Sequence, residues 1–144
     1  MRCIHLASDH AGLVLKSHLV RFLADRGFAV EDEGTHTAES CDYPVFAHKL
    51  CEAVEREGSL GILICGTGIG MSMAANRHPG IRAALCNTEL QAVMARRHND
   101  ANVLCLGARI IGIELAQAIA EAFLAGTFEG GRHQRRIDML NLPG

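Results

Sequence analysis

No stretch of this chain is both long and apolar enough to span a membrane. The most apolar segment, residues 60–76, is too glycine-rich and too short for the ~20 residues a spanning helix needs. No basic-then-apolar leader opens the sequence, because Asp9, His10 and Lys16 interrupt the early apolar residues. Charge of neither sign dominates: a formal net charge of −2 argues against a dedicated nucleic-acid binder and leaves room only for local basic patches. The six cysteines (Cys3, Cys41, Cys51, Cys65, Cys86, Cys105) contain no C-x-x-C pair and no zinc-ligand spacing. Several lie in apolar runs, where a reduced cysteine acts as a small hydrophobe. His5, His18, His36, His48 and His78 show no metal-ligand clustering, and there is no tryptophan, no low-complexity linker and no internal repeat. These absences leave a reduced, cytoplasmic protein, expected as a single domain over residues 1–144.

What is present is enough apolar material for a proper core, 49% of 144 residues, arranged in a repeating order. Short apolar runs are expected as strands at residues 3–7, 28–31, 61–64, 81–85 and 102–106. Between them lie helical patterns. Leu15, Leu19, Phe22 and Leu23 share one face before Gly27, and Tyr43-Pro44 opens a helix running toward Gly58. Thr88 and Gln91 have capping-box spacing, and Leu115, Ile119 and Phe123 line a helix from Gly112 to Ala125, closed by Gly126. The basic tail from Gly130 to Leu140 is expected to be helical. Strand-helix alternation of this length predicts an α/β, three-layer, Rossmann-like domain with a five-stranded parallel sheet and a C-terminal helical tail. Ligands bind such sheets at the carboxyl ends of the strands, so Asp9 and His10, the segment Cys65–Gly70, and Arg109 belong together.

The segment after the third strand carries the strongest motif, Cys65-Gly66-Thr67-Gly68-Ile69-Gly70. Closely spaced glycines let backbone N–H groups approach a ligand, and the helix that follows adds positive partial charge. A dinucleotide fingerprint would need glycine at position 71, a phosphatase loop would need arginine there, and Met71 occupies it. A Walker loop would need a lysine, which the loop lacks. Cys65 at a helix N-terminus is favoured as thiolate and could act as nucleophile or as base. His98 sits in a cluster of polar residues with Asn99, Asp100 and Asn102 and suits proton movement near neutral pH. Arg132 and Arg136, at i and i+4, could grip a phosphate or form a solvated basic face. Arg96 and Arg97 read as a basic last turn complementing the helix dipole.

Six segments together resemble the B-type ribose-5-phosphate isomerases, in the wider family that includes galactose-6-phosphate isomerase subunits. They are Ser8-Asp9-His10-Ala11-Gly12, Asp42-Tyr43-Pro44, Cys65–Gly70, Gly80–Ala83, His98–Val103, and Gly130–His133 with Arg136, spread over nearly the whole chain. The resemblance implies interconversion of ribose 5-phosphate and ribulose 5-phosphate through an enediolate, with no metal and no cofactor. It implies Cys65 as the base moving a proton between C2 and C1, with the loop Gly66, Thr67, Gly68, Ile69 and Gly70 stabilising the intermediate. His98 would open the sugar ring, assisted by Asp9. His10, Arg109, Arg132 and Arg136 would hold the phosphate end, Asn99 and Tyr43 the sugar, and His133 would also bind substrate. It further implies a homodimer or higher homo-oligomer whose sites draw on both subunits, with no nucleic-acid or membrane partner. Two alternatives stand beside it: isomerisation of a six-carbon sugar phosphate such as allose or galactose 6-phosphate, and a non-catalytic sugar-phosphate sensor on the same fold.

Overall fold

The computed structural model describes residues 3–143; residues 1, 2 and 144 of the expected domain lie outside the described residues. Five strands form one sheet: β1 (Ile4–Ser8), β2 (Val30–Asp32), β3 (Leu60–Cys65), β4 (Ala83–Leu85) and β5 (Val103–Gly107). Their order is β2-β1-β3-β5-β4, and every neighbouring pair is parallel. The helices are α1 (Leu13–Asp25), α2 (Tyr43–Glu57), α3 (Ile69–Ala75), α4 (Glu89–Asn99), α5 (Ile113–Ala125) and α6 (Arg132–Asp138). A single 3₁₀ turn, His10–Gly12, joins β1 to α1.

The strands are apolar on both faces because helices cover both. Along β3, Ile62 and Ile64 face a core shared with Leu15, Leu19 and Leu23 of α1, Ala92 of α4, and Ile119 and Phe123 of α5. Leu63 and Cys65 face the other core, made with Leu50, Cys51 and Val54 of α2 and Met71 and Ala75 of α3. The period-two alternation therefore sends Cys65 to the α2/α3 side.

Local chemistry sets the ends of the helices. Pro44 sits in the first turn of α2, and Gly58 closes it in the left-handed region at φ 63°. The capping box of α4 forms, with Gln91 N–H donating to Thr88 Oγ1 at 3.1 Å. The return contact goes from the Asn87 N–H to Gln91 Oε1 at 2.7 Å, one residue before the cap. Asp100 ends α4 at φ 45°, a conformation that aspartate tolerates better than most side chains.

Several expected boundaries move. β2 starts at Val30 and β4 at Ala83, each two residues later than the apolar runs suggest, because neighbours pair only there. β1 and β5 each shift one residue toward the carboxyl end, which draws Ser8 and Gly107 into the ladder. On α5 the buried face uses Ala116 and Ala120 beside Ile119 and Phe123, and Leu115 is exposed. Small alanines let α5 approach the sheet, a preference the larger leucine concealed. Gly126 ends α5 at φ −76°, without a left-handed turn.

Candidate active site

From β1 the chain crosses to β2 on one side, while β3 and β5 lie on the other, so the strand order reverses between β1 and β3. Ser8 pairs with Ile64 there, and Cys65 pairs with Gly107. Asp9, the Cys65 loop and Arg109 thus emerge side by side at one carboxyl edge, as expected for this class of sheet. The Asp9 N–H donates to Ile64 O at 3.2 Å, and the Asp9 carboxylate accepts from the Gly12 N–H at 3.1 Å. His10 follows, and its Nδ1 accepts from the Cys41 N–H at 3.2 Å. That bond leaves Nε2 as the nitrogen carrying the proton.

The glycines of the loop each answer a close approach. Gly68 takes φ 80°, and a Cβ there would lie 3.0 Å from the Leu106 carbonyl carbon. A Cβ on Gly70 would fall 2.6 Å from the Tyr43 ring, so Tyr43 lies directly on the loop. The Arg109 side chain lies against Gly66, its Nη1 3.1 Å from where a Cβ would stand, while the Arg109 N–H donates to Gly66 O at 2.9 Å. Thr67 is exposed, and its Oγ1 accepts from the Ile69 N–H at 3.2 Å. Cys65 is 5% exposed, and its Sγ accepts from the Gly68 N–H at 3.2 Å. That contact fixes the sulfur beneath the turn that enters α3.

The other cysteines are differently placed. Burial pushes the Cys51 thiol up to about 12, with Glu55 and Glu52 adding to it, and burial pushes Cys86 up to about 11. Cys105 is likewise held well above the usual thiol value, by full burial first and then by the neighbouring Cys51, Cys65 and Cys86. These are core side chains.

The remaining expected site residues do not join Cys65 within one chain. α4 leaves the carboxyl end of β4 and runs back to the amino end of β5, so His98 and Asn99 in its last turn lie at the opposite edge of the sheet. α6 docks on that same end: the Glu129 N–H donates to Arg97 O at 3.0 Å, and the His98 and His133 rings stack 4.3 Å apart. Desolvation lowers the His133 pKa, with the charges of His98 and Arg132 next in weight. Arg132 and Arg136 stand exposed on the same helix. A cleft of about 720 Å³ opens here, lined by Arg82, Asn99, Asp100, Gln134 and Asp138 among others. It lies away from Cys65, which is not among its lining residues. The expected site residues thus fall into two groups, at opposite ends of the sheet.

The model of the family described as Ribose/Galactose Isomerase matches residues 4–140. The chain belongs to this family. Ribose-5-phosphate isomerase B of Escherichia coli is 46% identical over 143 residues, covering 97% of this chain and 95% of that protein. Among solved structures, ribose-5-phosphate isomerase B of Clostridium thermocellum superposes with a TM-score of 0.94 at 49% identity, covering 96% of this chain and 94% of that one. The Mycoplasma genitalium enzyme, solved with bound ribulose-5-phosphate, gives 0.93 at 45% identity, covering 96% and 93%.

Two further residues contribute to the Cys65 end without having stood out in the sequence. Lys16 is fully buried on α1, and its ammonium donates to Asp32 Oδ1 at 2.5 Å and to Thr35 O at 2.6 Å. It thereby fixes the start of the loop that runs to Cys41 and Tyr43. A lysine inside an amphipathic helix reads as solvent-facing unless its distant partners are known. Cys41 matters through its backbone N–H, which leaves no trace in side-chain chemistry.

Proposed function

We propose that this chain interconverts ribose 5-phosphate and ribulose 5-phosphate, the aldose-ketose step of the pentose phosphate pathway, in the cytoplasm. No described helix is long and apolar enough to cross a membrane. The observation that carries the reading is Cys65, poised under the glycine loop with its sulfur accepting the Gly68 N–H. The reading draws support from the relatives, whose names describe this reaction. The Cys65 thiolate takes the proton from C2 of the open-chain aldose and returns it at C1. Negative charge develops on the O1 and O2 oxygens between these transfers. In this reading the Gly66–Gly70 loop and the Thr67 hydroxyl face those oxygens, with backbone N–H groups other than those of Gly68 and Ile69, which are held by Cys65 Sγ and Thr67 Oγ1, stabilising the enediolate more than either sugar. Asp9 assists, and Tyr43 borders the sugar.

Ring opening needs an acid and a base before that step, and His98 supplies them. His98, Asn99, Arg132, His133 and Arg136 sit at the far edge of the sheet, so in this reading a second copy of the chain presents them to Cys65. The working unit is a homodimer with shared sites, in which Arg109 and His10 of one subunit and the two α6 arginines of the other hold the phosphate. The reaction uses no cofactor. The expected test is a coupled assay on ribose 5-phosphate: Cys65→Ala should lose roughly 10³-fold or more in kcat, in the range for removing a general base. Turnover within tenfold of wild type would remove Cys65 from that role. Comparing kcat/KM for ribose, allose and galactose phosphates decides the chain length of the sugar.

A further inference from the structure

Among the described residues, His98, Glu129 and His133 bring one ligand atom each to within 4.8 Å of one another. Glu129 Oε1 lies 3.7 Å from His98 Nε2 and 3.6 Å from His133 Nε2. Those separations exceed a hydrogen bond, so the donors converge without satisfying each other. The contrast is His48 and His78, whose nitrogens meet at 2.7 Å and are spent on that contact. Bonds of about 2.0–2.1 Å to a tetrahedral zinc ion place neighbouring donors about 3.4 Å apart, a few tenths of an ångström from the two Glu129–histidine spacings, while the two histidine nitrogens lie within 4.8 Å of each other.

The backbone holds the three together. The Glu129 N–H is tied to Arg97 O, one residue from His98. Gly130 and Gly131 follow at φ 70° and 59°, and the His133 N–H donates to Gly130 O at 3.2 Å, which folds the start of α6 back over His98. The rings are stacked 11° from parallel, so one must turn to aim its lone pair at a shared ion. The His98 side chain, 40% exposed, has the room to do so. The donor set is two imidazoles and one carboxylate, with Arg132 and Arg136 close by. Arginines oppose a hard cation held by charge alone, whereas neutral nitrogens still bind a transition ion.

We propose that His98, Glu129 and His133 form a site for a borderline-soft divalent ion of the zinc class, and that its occupation inhibits the enzyme by withdrawing His98. The inhibition rests on the role given to His98 in the proposed function; the binding does not. The ion is no part of the reaction, and the metal-free protein is the active form.

The test uses the full-length protein stripped with chelator, Zn²⁺ or Co²⁺ alone as the probe, and the variants Glu129→Ala and Cys65→Ser. Calorimetry should show one Zn²⁺ per chain, with affinity falling at least about tenfold in Glu129→Ala. The Co²⁺ visible bands should persist in Cys65→Ser, without a thiolate charge-transfer band in the wild type. Zn²⁺ should inhibit the wild type, and its midpoint should rise in Glu129→Ala by the same factor as the dissociation constant. Equal zinc affinity in Glu129→Ala and wild type, loss of the cobalt bands in Cys65→Ser, or saturation of the trio without inhibition would each overturn the proposal. Failure of the proposed function is read separately, as absent turnover of ribose 5-phosphate by the metal-free wild type.

Discussion

One residue type, cysteine, occupies very different environments in this molecule, and burial sorts them. At pH 8 a thiol held at about 11 or 12 exposes only about 10⁻³ to 10⁻⁴ of itself as thiolate, so Cys86 and Cys51 should resist alkylation. Timed iodoacetamide labelling of the native protein, followed by peptide mass spectrometry, should find Cys41 modified first. Cys65 should follow, before Cys51, Cys86 and Cys105, and ribose 5-phosphate should slow its labelling. Labelling of Cys86 ahead of Cys65 would contradict the assignment. Cys65 was legible in the sequence because glycines at 66, 68 and 70 flag a strand-to-helix turn beside it. Lys16 was not, because its partners Asp32 and Thr35 lie 16 and 19 residues along the chain. Periodicity carries no information about such a contact.

The elements were legible wherever short-range chemistry decides them. The Thr88 and Gln91 box, Pro44 in the first turn of α2 and the left-handed Gly58 are all decided within four residues. Thr88→Ala should cost about 1 kcal/mol by exposing the first turn of α4. For a chain of this size that corresponds to about 2–4 °C in Tm, readable by thermal melting. The starts of β2 and β4 were less legible, because pairing partners rather than propensity end an edge strand. Docking of α6 has its own signature. The folded chain holds His133 below its ordinary value of about 6.5, so the unfolded chain takes up a proton more readily. That contribution to stability is complete above pH ~6.5 and is lost as pH falls through 6.5 toward the lowered folded value. Melting at pH 7.5 and at pH 5.5 should therefore show a smaller acid loss for His133→Gln than for the wild type. An equal loss would remove His133 as the cause.

At the scale of the whole molecule, the fold class followed from strand-helix alternation, whereas the sharing of sites between subunits was expected from the family resemblance alone. The sequence places His98 and Cys65 in one family pattern, yet a parallel crossover must return each helix to the amino edge, so α4 carries His98 away from Cys65. A string of residues cannot display that two halves face different directions. Complementation tests the proposed sharing: Cys65→Ala and His98→Asn should each be inactive alone. Unfolded and refolded together in equal amounts, they should regain about a quarter of wild-type activity, since half the dimers are mixed and each holds one intact site. No recovery, with dimers formed, would place each whole site within one chain. The same opposed half-sites have a consequence for rate. If neither end reacts alone, a lone newly synthesised chain is chemically silent. Below the dissociation constant of the pair, the observed rate then climbs as the square of enzyme concentration, so a cell that halves its supply of this protein loses three quarters of the flux.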